Sequence, residues 1–139
     1  MPVLLVEDDT MIRLTLSDFF EETGLDILEA GDAEDALAML DDPVVHIDIL
    51  VTDLDLGPGD NGLVLAAKLR LRFPNLQIVY ATGSPEKFAG HTFSPWEKVF
   101  LKPFSPTALV TTVTALSTAT CPPQRSRPQP ARVEASLCV

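Results

Sequence analysis

The chain has 139 residues, is 46 % hydrophobic and carries a formal charge of -10, which suits one hydrophobic core and disfavours nonspecific association with nucleic acid or anionic membrane. No apolar run is long enough to cross a membrane, and the opening MPVLLVEDD turns acidic after four apolar positions, so neither a span nor a signal peptide is expected and a cytoplasmic location is. Acid is concentrated early: through Gly62 there are 17 Asp and Glu against Arg13 alone, whereas residues 63–117 hold six Lys and Arg against Glu86 and Glu97.

In chain order, short apolar runs alternate with amphipathic stretches, the pattern of strands covered on both faces and linked by helices. VLLV (3–6) is a strand, followed by a helix with Ile12, Leu16, Phe19 and Phe20 on one face and Gly24 at its C-cap. LDIL (25–28) is the second strand; after it Asp32 caps a helix whose first turn includes Asp35. IDILVT (47–52) is the third strand, and NGLVLAAKLRLRF a third helix that stops by Pro74.

LQIVYA (76–81) is the fourth strand. Pro85, Gly90 and Pro95 limit the next segment to a short helix near 85–92, where Trp96 is expected to cover the core beside the fifth strand, VFL (99–101). SPTALVTTVTALS closes the domain with a helix carrying Pro106 in its first turn and Leu109, Val113 and Leu116 on one face. From Thr118 four prolines, three arginines and no sustained period predict a disordered tail, giving a domain at 1–117 and a tail at 118–139. Both cysteines, Cys121 and Cys138, fall in that tail without zinc-site spacing.

Five such units imply right-handed crossovers and a three-layer α/β fold, a doubly wound parallel sheet with its site beyond the carboxyl ends of the strands. Glu7 and Asp8 follow the first strand, Asp53 the third, Thr82 the fourth and Lys102 the fifth, so all five converge on one rim. Clustered carboxylates repel one another unless something positive joins them. Mg²⁺, which prefers oxygen ligands and keeps waters, and a lysine answer that need. A carboxylate beside Mg²⁺ can then attack a phosphoryl group, with Lys102 as a second counter-charge and the Thr82 hydroxyl as donor to a further oxygen.

LLVEDD, VTDLDLG, ATG and LKPF, in this order and spacing over about residues 2–117, resemble the receiver domains of two-component response regulators. The resemblance implies a flavodoxin-like fold with strand order 2-1-3-4-5. It makes Asp53 the phosphoacceptor and Asp8 a direct Mg²⁺ ligand, with Glu7 acting largely through metal-bound water and Asp55 lending its backbone carbonyl. It makes Thr82 the switch hydroxyl and Lys102 the phosphoryl counter-ion, Asp53 and Lys102 being the catalytic pair, with a cis peptide to Pro103. The phosphoryl donor would be a phosphohistidine on a histidine kinase or histidine phosphotransfer protein, and the output a contact with a downstream protein or onward phosphotransfer. Such a receiver is not an enzyme beyond its own phosphorylation and dephosphorylation.

Two departures stand out. The family's aromatic residue three positions before the lysine is Val99 here, and Phe100, one place on, falls on the opposite strand face. The segment 84–97 replaces a full helix. With YATGS and GPGDNG, the chain resembles the stand-alone receivers named for a Phe-Ala-Thr-Gly motif, with Tyr80 in place of that Phe.

An alternative is a haloacid-dehalogenase-like phosphatase using Asp53 and Asp55, whose motif also reads apolar strand, Asp, any residue, Asp. That motif normally opens its domain, and Glu7 and Asp8 would be unexplained. A calcium loop fails, since Gly57, Pro58 and Val64 stand where it needs Asp or Asn, Gly and Glu. Asp60 is expected to be a solvated loop residue, Lys68, Arg70 and Arg72 a solvated basic face, and His46 and His91 ordinary surface or boundary residues.

Overall fold

In the computed structural model, residues 2–57 and 59–119 are described. The elements run β1 (Val3–Val6), α1 (Thr10–Glu21), β2 (Ile27–Ala30), α2 (Ala33–Met39), β3 (Ile49–Thr52), α3 (Gly62–Arg72), β4 (Gln77–Thr82), a 3-10 turn (Pro85–Phe88), β5 (Glu97–Leu101) and α4 (Pro106–Ala119). All strand pairings are parallel, in the order β2-β1-β3-β4-β5, as the resemblance implied.

Strand alternation divides the core in two. Leu4, Val6, Leu50, Ile78 and Tyr80 point toward α2 and α3, where they meet Ala36, Leu65 and Leu69. Val3, Leu5, Val51 and Val79 point the other way, against Leu16 and Phe20 of α1 and Leu109 and Val113 of α4. Burying a side chain such as Leu16 or Phe20 contributes roughly 2–3 kcal/mol. The faces of α1 and α4 therefore follow the sequence pattern.

Capping sets where the helices start. Asp9 accepts hydrogen bonds from the Met11 and Ile12 amides, Asp32 from Asp35, and Asn61 from Val64, satisfying amides that the first turn leaves without partners. Helix α1 is capped at Glu22 rather than at Gly24; Gly24, at φ +79°, instead turns the chain toward β2.

Several boundaries differ from expectation. Strand β2 occupies 27–30 rather than 25–28, because Ile27 to Ala30 are the residues in register with β1. Its polar Glu29 is accommodated by the Ser17 hydroxyl at 2.8 Å and by Arg13. Strand β5 begins at Glu97, whose side chain is buried and paired. The helix expected near 85–92 is a single 3-10 turn. Trp96 does not cover the core: it is 46 % exposed, because the irregular segment before β5 turns it outward.

Helix α4 runs two residues past the expected domain boundary; the rest of the predicted tail, with Cys121 and Cys138, lies outside the described residues. The basic stretch of α3 is also more engaged than a solvated face. Arg70 donates to the Leu76 carbonyl, Arg72 to the carbonyls of Asp42 and Val45, and Lys68 pairs with Asp60 at 2.6 Å.

Candidate functional site

The rim is assembled by backbone bonds that continue the sheet past its strand ends. The Glu7 amide donates to Ala30, the Asp53 amide to Val6, and the Lys102 amide to Thr82. Thus Glu7, Asp53, Thr82 and Lys102, drawn from four strand ends, are fixed relative to one another by the ladder rather than by loops.

Glu7, Asp8 and Asp53 each place a carboxylate oxygen within 4.8 Å of the others. Glu7 is 2 % and Asp53 6 % exposed, while Asp8 lies at the open side. Lys102 bridges the two buried acids, its Nζ donating to Asp53 Oδ2 at 2.7 Å and to Glu7 Oε2 at 3.1 Å. The other Glu7 oxygen accepts the Asp9 amide at 3.1 Å, and Asp53 Oδ1 accepts the Asp55 amide at 3.2 Å.

Burial pushes Glu7 from its ordinary 4.5 to about 7, against the opposing pull of the Asp9 amide and Lys102, while the Asp53 charge adds to the rise. Burial alone would lower Lys102, but its bonds to Asp53 and Glu7 outweigh that and hold the ammonium above its usual range. A single lysine thus leaves this acid cluster under-neutralised. An all-oxygen donor set with excess negative charge suits a hard divalent cation, so Glu7, Asp8 and Asp53 could hold one.

Thr82 is fully buried, its hydroxyl accepting the Ser84 amide at 3.0 Å. The Lys102–Pro103 peptide is cis. The Asp55 carboxylate stands outside the group formed by Glu7, Asp8 and Asp53 and is engaged by other partners: Ser84 Oγ donates to it at 3.1 Å, and Lys87 forms an ion pair with it. The Lys87 ammonium is the main cause holding the Asp55 carboxyl below its ordinary range.

Four residues that shape the rim were not singled out by the sequence reading. Asp9, third of the acidic run, is the α1 cap rather than a site carboxylate; its place just before an amphipathic stretch was the available signal. Arg13 donates to the Glu7 carbonyl at 2.8 Å, and its signal was being the lone basic residue in an acidic half. Lys87 carried no signal, lying 32 positions from Asp55. Gly62 sits so close to the backbone that follows β3 that a Cβ would overlap the Asp53 carbonyl oxygen.

Residues 3–114 match the family model described as the response regulator receiver domain. Among curated proteins, the aerobic respiration control protein ArcA of Escherichia coli (strain K12) is 34 % identical over 110 residues, covering 77 % of this chain and 44 % of ArcA. Sensor kinase CckA of Brucella abortus (strain 2308) is 32 % identical over 113 residues, covering 80 % of this chain and 12 % of that kinase. The chain therefore spans less than half the length of these relatives.

Among solved structures, the response regulator receiver protein from Sinorhizobium medicae WSM419 aligns with a TM-score of 0.76 at 27 % identity, covering 86 % of this chain and 95 % of that one. Response regulator TrrA from Thermotoga maritima, in complex with Mg(2+)-BeF, aligns with a TM-score of 0.68 at 25 % identity, covering 83 % and 97 %.

Proposed function

Since the chain belongs to the response regulator receiver family, we propose that it accepts a phosphoryl group on Asp53 from a phosphohistidine of a histidine kinase or histidine phosphotransfer protein. An Asp53 carboxylate oxygen attacks phosphorus as the bond from phosphorus to the donor imidazole nitrogen breaks, and the electron pair stays with that nitrogen. The observation carrying this reading is the position of Lys102, bonded at once to Asp53 and Glu7. There it orients the nucleophile and faces the charge of the incoming oxygens.

Mg²⁺ is the cation proposed for Glu7, Asp8 and Asp53, with the Asp55 carbonyl as a further ligand; when bound it would neutralise charge on the phosphoryl oxygens. The buried Thr82 hydroxyl would donate to one of those oxygens. A groove of about 490 Å³ beside Lys102, bordered by Met11, Ile12, Leu16, Pro103 and Phe104, offers apolar surface for the donor protein. Output is by contact with a downstream protein or onward phosphotransfer, and no external substrate is turned over.

A phosphatase using Asp55 as acid and base needs that carboxylate beside Asp53. Its bonds to Ser84 and Lys87 support the receiver reading instead. Among the described residues no helix is long and apolar enough to cross a membrane; a cytoplasmic site of action is proposed from the receiver family itself.

Incubation with a small phosphodonor and Mg²⁺, read by intact mass, tests the assignment. One phosphoryl adduct is expected, absent with chelator and in Asp53→Asn. An adduct that persists in Asp53→Asn overturns it.

A further inference from the structure

The segment from Ser84 to Glu97 is tied down at both ends, and the tie nearer the acid cluster is electrostatic. At the first end Ser84 and Lys87 hold the Asp55 carboxylate, two positions after Asp53. At the far end the buried Glu97 carboxylate accepts hydrogen bonds from Tyr80 Oη at 2.9 Å, His91 Nε2 at 2.9 Å and the Ser94 amide at 2.6 Å. Between the ends the contacts are rings. Phe88 lies 5.2 Å from Tyr80 and 4.9 Å from Phe93, and His91 lies 4.8 Å from Phe93, centroid to centroid.

The two tie points differ in how readily they exchange. Lys87 and Asp55 are each about half exposed, so their pair is held weakly and can be traded for a stronger partner. The Glu97 carboxylate is enclosed and accepts three donors. Lys102 is already committed to two carboxylates, whereas Lys87 holds one, that of Asp55, whose backbone amide donates to Asp53 Oδ1 at 3.2 Å. A phosphoryl group on Asp53 adds charge and acceptor oxygens where Lys87 can compete for them.

Building on the proposed phosphorylation of Asp53, we propose that Lys87 is the positioning residue that reports it: its ammonium holds Asp55 while Asp53 is free and moves to the phosphoryl oxygens once the group is attached. Because Phe88 follows Lys87 directly and packs on Tyr80 and Phe93, this exchange shifts the segment as a unit toward Trp96. It supplies a route to β5 that needs no aromatic side chain at Val99.

Trp96 is the single tryptophan of the chain and is partly exposed, so its fluorescence reads the segment while intact mass reads the adduct. With a small phosphodonor and Mg²⁺, wild type is expected to show the adduct and a shift in Trp96 emission. Lys87→Gln should form the adduct with the shift lost, and Lys87→Arg should recover at least half of it. An adduct in wild type without a Trp96 shift, or an undiminished shift in Lys87→Gln, overturns the role of Lys87. Absence of any adduct in wild type overturns the phosphoacceptor reading itself.

Discussion

Lys102 Nζ and Asp53 Oδ2 meet at 2.7 Å although 49 positions separate them, and the same ammonium reaches Glu7 at 3.1 Å. Removing the lysine strands two buried carboxylates, which is costlier than never having built the pair. Lys102→Met is expected to abolish Asp53 phosphorylation and to destabilise the fold by about 3–5 kcal/mol at pH 8. The loss should shrink at pH 6, where a proton on Glu7 replaces the missing charge. Equal losses at both pH values in denaturant titrations would contradict this account.

Gly62 opens α3, where alanine would be preferred by about 1 kcal/mol on propensity alone. A Cβ there, however, overlaps the Asp53 carbonyl and approaches its carbon and Leu54 Cα, all of them backbone atoms that cannot rotate away. Gly62→Ala is therefore expected to lose about 2 kcal/mol or more and to slow phosphorylation by displacing Asp53. An unchanged Tm would show that the loop yields freely.

What could be read in advance follows from which contacts are local. Asp53, Thr82 and Lys102 were legible because each closes an apolar run, and parallel strands bring such ends to one rim. Asp32 and Asp35 were legible because a cap and its helix are neighbours. Glu29 hid the true span of β2, since its Ser17 partner lies 12 positions away. Glu97 similarly hid the start of β5, its charge being satisfied by Tyr80, 17 positions back. The outward turn of Trp96 and the pairing of Lys87 with Asp55 depend on how an irregular segment settles after the sheet has formed, which no period encodes.

Tyr80 stands where the resembled motif has Phe, and its hydroxyl bonds Glu97 rather than any rim residue. Burial and the adjacent Glu97 carboxylate push the phenol above its ordinary range, so it acts as a neutral donor. Tyr80→Phe should cost about 1 kcal/mol, since Glu97 keeps His91 and the Ser94 amide. Glu97→Ala should cost about 2–4 kcal/mol by leaving the buried phenol and the Ser94 amide unpaired. Both variants should still form the Asp53 adduct. Loss of the adduct in Tyr80→Phe would place that hydroxyl in the phosphorylation chemistry.

Glu7 gives the fold a pH dependence of definite sign. Its carboxyl rises from 4.5 to about 7 on folding, chiefly through burial, so between those values the folded chain keeps a proton that the unfolded chain releases. The contribution is complete below pH 4.5 and is lost as pH climbs through 7, about 3 kcal/mol in all. Asp55 and Glu97, whose carboxyls are held low, lose stability only as pH falls below the ordinary carboxylate range, outside this window. In chelator, stability should therefore fall from pH 5 to pH 8, and Glu7→Gln should flatten the profile. Mg²⁺ needs the ionised carboxylate, so its affinity should weaken as pH drops below 7, and saturating Mg²⁺ should reverse the slope. Melting curves in EDTA and in MgCl₂ across that range decide the matter: a flat wild-type profile in EDTA would mean that the acid cluster is neutralised by other means.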